Sequence, residues 1–209
     1  MRRGPAIGLF GGSFNPAHAG HLHVAEAGVR ELALDQVWWL VSPQNPLKPQ
    51  QPPAAERAAS IGALGLPRTM RVSHAESELR TRYTVDLLRK LRRRHPNHRF
   101  VFMMGADNLI QLPQWREWEA IIGLAPLAVI ARPGSTLRAR LSPAARRLAP
   151  FRIPEWQAHT LKDAKPPAWT YLTLPLVPLS STALRAAATS PKVAHYAMES
   201  EQANKETSP

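Results

Sequence analysis

The sequence predicts an α/β fold, a doubly wound and mostly parallel sheet with helices on both faces. Short apolar runs alternate with helical patterns along the chain, which is typical of parallel strands joined by helical crossovers. The chain has 209 residues, of which 44% are apolar. A chain of this size buries roughly 70% of its unfolded surface, so one domain can have a sizeable core. Disorder of the whole chain is excluded.

Six short runs of apolar and β-branched residues predict the strands, at 6–10, 37–41, 70–73, 100–104, 127–131 and 171–176. Apolar residues recur three or four positions apart in 21–34, 84–94 and 115–124, which predicts helices there. Prolines indicate loops at 42–53, 132–135 and 162–167. The polar tail lacks apolar periodicity, so we expect a single domain over 1–188 and a C-terminal helix or frayed tail over 189–209.

The chain carries 27 lysines and arginines against 15 acidic residues, a net charge of +12. This surplus indicates anionic partners: nucleic acid, an acidic membrane surface or phosphorylated small molecules. The densest basic run, residues 89–94, closes a predicted helix, where cations suit the helix dipole. We interpret it as a solvated helix end and expect no nucleic-acid partner.

The chain has no cysteine, which excludes disulfides, thiolate nucleophiles and cysteine-rich metal sites. The N-terminal apolar stretch is interrupted by glycines at once and is too short for a signal peptide or a membrane span. We therefore expect a cytoplasmic protein with no membrane partner.

The most informative segment follows the first predicted strand, where residues 8–21 read GLFGGSFNPAHAGH. Glycines let a backbone approach an anion, and the helix that follows offers N–H groups and a positive dipole end. His18 and His21, three positions apart at the helix start, can donate hydrogen bonds to a phosphoryl group. Two alternatives stay open: a zinc site of His18, His21 and His23, or a local structural role for these histidines.

Residues 11–21 resemble the GG[ST]F[DN]PxHxGH signature of bacterial nicotinate-nucleotide adenylyltransferases, members of the nucleotidyltransferase superfamily. Further segments resemble this family in the same order along the chain. They are SPQNPLKP (42–49), ELRTRYTVD (78–86), GADNL (105–109), LPQWREW (112–118), RPG (132–134) and LSSTALR (179–185). The resemblance covers about residues 7–185 and implies a Rossmann-like form of the α/β fold. After Arg185 the sequence departs from the family's pattern.

The resemblance implies adenylyl transfer from ATP to nicotinate mononucleotide, which gives nicotinate adenine dinucleotide and pyrophosphate in NAD biosynthesis. A phosphate oxygen of the mononucleotide attacks the α-phosphorus of ATP in line, so catalysis reduces to positioning and charge neutralisation. The implied cofactor is Mg²⁺, held mainly by the ATP phosphates and not by a protein metal site. ATP and nicotinate mononucleotide are the implied partners, and a homo-oligomer is left open.

The resemblance also implies roles for individual residues. His18 and His21 are the implied catalytic residues and contact the ATP phosphates. The residues implied in ATP and phosphate binding are Gly11, Gly12, Ser13, Phe14, Lys48, Ser180, Ser181, Thr182 and Arg185. Those implied in binding nicotinate mononucleotide are Tyr83, Thr84, Asp107 and Trp115, whose ring stacks on the pyridine. Without the resemblance, Trp115 reads as a core residue and Asp107 as a helix cap.

Two other acceptors on the same scaffold are alternatives, nicotinamide mononucleotide and phosphopantetheine. The LPQW segment and the HAGH form of the motif argue against phosphopantetheine. A basic nucleic-acid-binding module that uses residues 89–94 is an alternative of another class. That alternative leaves the turn with glycines and histidines unexplained.

Overall fold

The computed structural model describes residues 4–42, 51–131 and 136–173, together with Ser181. Within these residues, six strands form one sheet in which every neighbouring pair is parallel. The strands are β1 (Ala6–Gly12), β2 (Gln36–Val41), β3 (Met70–Ser73), β4 (Arg99–Gly105), β5 (Leu127–Ile130) and β6 (Trp169–Leu172). Their order, β3-β2-β1-β4-β5-β6, is that of a doubly wound sheet. The predicted Rossmann-like α/β fold is confirmed.

Helices cover both faces of this sheet. They are α1 (Ala19–Glu31), α2 (Ala54–Gly62), α3 (Ala75–Glu78), α4 (Thr84–Arg94), α5 (Ala106–Gln111), α6 (Trp118–Leu124), α7 (Thr136–Arg140) and α8 (Pro143–Leu148). Three 3₁₀ segments span Leu112–Gln114, Ala149–Phe151 and Glu155–Asp163. Helices α1 and α2 and the last 3₁₀ segment pack on one face, and α4 to α8 pack on the other. No helix in the described parts of the chain is long and apolar enough to cross a membrane.

Successive residues of the central strands alternate between two hydrophobic cores, one on each face of the sheet. In β4, Phe102 packs in the core beneath α4 to α8, whereas Met103 packs in the core beneath α1 and α2. In β2, Trp38 and Trp39 divide in the same way and are 4% and 0% exposed. Because both faces are covered, the strands have continuous apolar sequences.

Three predicted elements have clearly different bounds in the structure. The first helix, predicted over 21–34, spans Ala19–Glu31, because His18 caps its start and Leu32 its end. The helix predicted over 115–124 begins at Trp118, because Trp115 is extended and Glu117 has a left-handed φ of 48°, which no helix accommodates. The sixth strand, predicted over 171–176, is Trp169–Leu172, and residues 174–176 lie outside the described residues.

Five short helices are not predicted by the periodicity of the sequence. Helices α2, α3, α5, α7 and α8 are nine residues long or shorter. A helical repeat becomes recognisable only over a window of roughly 11–18 residues, so these segments are too short to show one. The longer α4 has its predicted bounds, and it ends in Arg92, Arg93 and Arg94 as the interpretation of residues 89–94 requires.

Candidate active site

The turn after β1 lies at the carboxyl edge of the sheet, where the chain order reverses between β1 and β4. Open parallel sheets bind ligands at such a point. Aromatic rings fill the space beside both glycines of this turn. A Cβ on Gly12 would lie 2.7 Å from ring atoms of Phe14, and a Cβ on Gly11 would lie 3.0 Å from the Phe102 ring. Close ring packing therefore requires glycine here, besides the access for an anion that the sequence indicates.

His18 and His21 lie side by side at the start of α1. Their ring centroids are 4.0 Å apart, and each residue is 6% exposed. His18 is the N-cap of α1, and its Nδ1 accepts a hydrogen bond from the backbone N–H of Gly20 at 3.1 Å. Because Nδ1 is an acceptor, the proton of the neutral His18 imidazole lies on Nε2. The spacing of the two histidines thus brings both rings to one place.

An aromatic cluster of Phe10, Phe14 and Trp39 supports the His21 ring. The centroid of the His21 ring lies 5.2 Å from that of Phe14 and 6.3 Å from that of Phe10. Within the cluster, the ring centroids are 5.2 to 5.3 Å apart. Phe14 is 1% exposed, so its side chain orients His21, and only its backbone is available for the predicted phosphate binding.

Ser181, which belongs to the last motif of the sequence, contacts the same turn. The Ser181 hydroxyl donates a hydrogen bond to the Pro16 carbonyl at 3.0 Å, although 165 positions separate the two residues. Ser181 and the histidine turn are therefore neighbours. Four other residues predicted to bind phosphate lie outside the described residues: Lys48, Ser180, Thr182 and Arg185.

Arg57 of α2 binds the backbone of the turn after β1. No motif of the sequence includes this residue. It is 2% exposed, and its guanidinium donates to three backbone carbonyls. The acceptors are Ser13 at 2.8 Å, Ser42 at 2.6 Å and Pro52 at 2.9 Å. These carbonyls belong to the turn after β1, the end of β2 and the approach to α2. The sequence signal is weak, since one arginine in a short helix looks like a surface residue.

Ser60, one turn after Arg57, holds the same turn at a second point. Its hydroxyl accepts from the backbone N–H of Ala17 at 3.1 Å and donates to the Arg57 carbonyl at 2.7 Å. Glu76 of α3 interacts electrostatically with Arg57. Burial raises the pKa of Glu76 to about 7, against the opposing attraction of Arg57, and burial also lowers the pKa of the Arg57 guanidinium.

The residues predicted to bind the mononucleotide lie in neighbouring loops at the same edge of the sheet. Tyr83 is the N-cap of α4 and is 37% exposed, and Thr84 is the first residue of that helix. The Arg116 guanidinium lies 4.8 Å from the centroid of the Tyr83 ring. The loop that carries Trp115 therefore contacts the start of α4.

The half-buried Trp115 ring joins this region to the turn after β1. Its centroid lies 6.2 Å from that of Phe102, at an interplanar angle of 80°. Phe102 is the same ring that fills the space beside Gly11. Trp115 is thus neither a helix residue nor fully buried, and one side of it packs on the core. Asp107 lies in the first turn of α5, directly after β4, so it occupies the same carboxyl edge.

The structure does not favour the zinc alternative. Across the described ranges, no group of three or more histidine, aspartate and glutamate side chains is placed to hold a metal ion. His23 lies two positions beyond His21 in α1, and a step of two residues turns a helix by roughly 200°, so these side chains point to different sides. Local packing remains the interpretation of His23.

Known proteins match most of this sequence and share its fold. The model of the cytidylyltransferase-like family matches residues 9–187. A protein of Caulobacter sp. (strain K31), named "Probable nicotinate-nucleotide adenylyltransferase", is 54% identical over 181 residues, which are 86% of this chain and 96% of the relative. A protein of the same name from Ruegeria pomeroyi is 48% identical over 187 residues, which cover 89% of this chain and 88% of the relative.

A solved structure shares the fold. It is the Plasmodium falciparum nicotinic acid mononucleotide adenylyltransferase complexed with NaAD, with a TM-score of 0.65 and 18% sequence identity. The match covers 86% of this chain and 82% of that chain. At this identity the likeness concerns the arrangement of strands and helices.

Proposed function

The chain belongs to the nicotinate-nucleotide adenylyltransferase family and to the wider cytidylyltransferase-like group, and on this premise we propose how its site performs the reaction of the family. The chain is an enzyme that transfers the adenylyl group of ATP to nicotinate mononucleotide. The products are nicotinate adenine dinucleotide and pyrophosphate, and the reaction is a step of NAD biosynthesis.

The histidine pair is the observation that carries the assignment of the site. Two imidazoles 4.0 Å apart lie at the N-terminus of the 13-residue α1, at the point where a doubly wound sheet binds its ligand. The N–H groups and the dipole of such a helix end attract phosphate. The two imidazoles and the helix N-terminus together therefore suit a phosphate ligand.

In the reaction, a phosphate oxygen of nicotinate mononucleotide forms a bond to the α-phosphorus of ATP. The bond from that phosphorus to the bridging oxygen breaks in line, and its electron pair leaves with pyrophosphate. Because the attacking phosphate is already anionic near neutral pH, no side chain has to remove a proton. We assign His18 and His21 to hydrogen bonding with the phosphoryl oxygens, where charge grows in the transition state.

The remaining parts of the site divide between the two substrates. The backbone of Gly11, Gly12 and Ser13, together with Ser181, is assigned to the ATP phosphates, and the contact of Ser181 with Pro16 supports this. The exposed Tyr83 and the half-buried Trp115 are assigned to the mononucleotide. An aromatic ring held on one side by Phe102 suits stacking on a flat pyridine ring.

A divalent cation belongs to this chemistry, and we assign Mg²⁺, which neutralises phosphate charge. The described site residues supply imidazoles, hydroxyls and the carboxylate of Asp107. Mg²⁺ prefers oxygen ligands, so this donor set fits an ion held mainly by the ATP phosphates. We further assign the protein to the cytoplasm, with residues 1–188 as its single domain.

Pyrophosphate release with Mg-ATP tests the function. Nicotinate mononucleotide, nicotinamide mononucleotide and phosphopantetheine are compared as acceptors, and we expect a strong preference for the first. His18→Ala should lower kcat about 10²–10³-fold, as loss of an oxyanion donor does. His23→Ala, in the same helix, is the matched control and should keep its activity. Preference for another acceptor would overturn the substrate, and full activity of His18→Ala would overturn the site.

A further inference from the structure

Helix α2 contacts both ends of the turn after β1. The Arg57 guanidinium donates to the Ser13 carbonyl near the start of this turn, and the Ser60 hydroxyl accepts from the Ala17 N–H next to His18. Both contacts are made to backbone atoms. We propose that Arg57 and Ser60 are positioning residues for ATP, because they hold the backbone of residues 13–17 in the shape that binds the phosphates. This inference rests on the proposed function.

An arginine side chain suits the role of holding this backbone better than a lysine side chain would. A guanidinium is a planar fork that reaches several acceptors at once, whereas a lysine ammonium is a point charge. Here the fork joins three separate chain segments through bonds of 2.6 to 2.9 Å. Arg57 is 2% exposed and its three hydrogen bonds are partly buried, so losing the fork would remove the donor from three partly buried carbonyls, which costs stability.

The sheet separates α2 from the region assigned to the mononucleotide. Ile61 of α2 packs in the core that contains Phe10 and Phe14, whereas Trp115 packs against the core on the opposite face. A displacement of α2 therefore reaches the phosphate turn directly and reaches Trp115 only through the sheet. The binding of ATP and the binding of the mononucleotide should respond differently to changes in α2.

Arg99 supplies a matched control at the opposite end of the sheet. Its guanidinium donates to the Gly4 carbonyl at 3.1 Å and pairs with Asp163 at 2.7 Å. Like Arg57, it ties distant segments together, but it lies at the start of β4, away from the carboxyl edge. Replacing Arg99 tests what the loss of a purely structural arginine does to the kinetics.

The experiment measures steady-state kinetics of Arg57→Lys, Ser60→Ala and Arg99→Lys with each substrate varied in turn, and the melting temperature of each variant. We expect Arg57→Lys to lower kcat/KM for ATP about tenfold or more, since small displacements of positioned groups are costly. Ser60→Ala, which removes the two neutral hydrogen bonds of the hydroxyl, should lower it about fivefold. The KM for nicotinate mononucleotide should stay within about twofold in both variants, because Trp115, which we assign to that substrate, packs against the core on the opposite face of the sheet.

Arg99→Lys should lower the melting temperature and leave both KM values unchanged. The proposal is overturned if Arg57→Lys and Ser60→Ala lose only thermal stability, or if the two substrates are affected equally. Should Arg57→Lys fail to fold, Ser60→Ala alone decides in the same way. Wild-type protein without adenylyl transfer would refute the proposed function instead, and calorimetric titration with a non-hydrolysable ATP analogue would still compare ATP affinity among the variants.

Discussion

Gly12→Ala should disable the enzyme because the added methyl group has no room. The new Cβ would lie 2.7 Å from Cε1 and Cζ of Phe14, whereas ordinary contacts begin at 3.4 Å. The Phe14 ring must therefore retreat by 3.4 − 2.7 = 0.7 Å. It is 1% exposed and lies edge-on to His21, with ring centroids 5.2 Å apart, so its movement displaces the imidazole that we assign to the ATP phosphates.

Both stability and turnover should fall in this variant. Overpacking of a buried site costs about 1–3 kcal/mol. For a chain of this size each kcal/mol lowers the melting temperature by about 2–4 °C, so the expected decrease is about 2–12 °C. Misplacement of a catalytic group by about 1 Å costs up to about 10² in rate. A shift of 0.7 Å should therefore lower kcat about ten- to hundredfold by the same reasoning.

Gly8→Ala is the matched comparison, because Gly8 lies on the same strand and the same face. Its Cβ would lie 2.5 Å from Sδ of Met103 and 2.7 Å from Cδ1 of Leu34, both of which are away from the histidines. Pyrophosphate release and differential scanning fluorimetry should show a loss of stability in both variants and a loss of kcat in Gly12→Ala alone. Wild-type kcat in a folded Gly12→Ala variant would refute the assigned role of Phe14 in holding His21.

Two further predictions concern the mononucleotide region and the buried carboxyl. Trp115→Ala should raise the KM for nicotinate mononucleotide about tenfold, since aromatic stacking on a base is worth about 1–3 kcal/mol, and Trp115→Phe should restore most of the affinity; an unchanged KM in Trp115→Ala would contradict the assignment. Burial raises the pKa of Glu76 from 4.5 to about 7, so the folded state holds this proton more tightly and loses stability as the pH rises through that range. Relative to Glu76→Gln, the wild type should therefore lose up to about 3 kcal/mol of unfolding free energy between pH 4.5 and pH 8. Chemical denaturation at several pH values measures this loss, and the same pH dependence of the unfolding free energy in both proteins would contradict the prediction.

The strands and the histidine pair could be predicted because their signals are local. Residues 37–41 and 100–104 are continuous apolar runs, as strands covered on both faces are. His18 and His21 are three positions apart at a helix start, so local geometry alone brings their rings together.

The contacts that connect distant segments could not be predicted from local patterns. Arg57 holds Ser13 across 44 positions, and its partners are carbonyls, which every residue possesses. The start of α6 moved to Trp118 because Glu117 adopts a left-handed conformation, and a glutamate carries no signal for that. The tertiary structure determines which backbone carbonyls accept side-chain hydrogen bonds and which non-glycine residues adopt a positive φ, so the local sequence pattern does not predict them.

The bond between Ser181 and Pro16 joins two parts of the chain that lie 165 positions apart. β1 precedes the other described elements in the chain, yet it is a central strand that pairs with β2 and with the distant β4. The phosphate turn then receives Ser181 from 165 positions later, and such long-range closures form late, since their loops cost the most entropy. During synthesis, the nascent protein therefore carries both histidines long before it carries Ser181, and a chain that stops before Ser181 would possess the histidine motif without this contact.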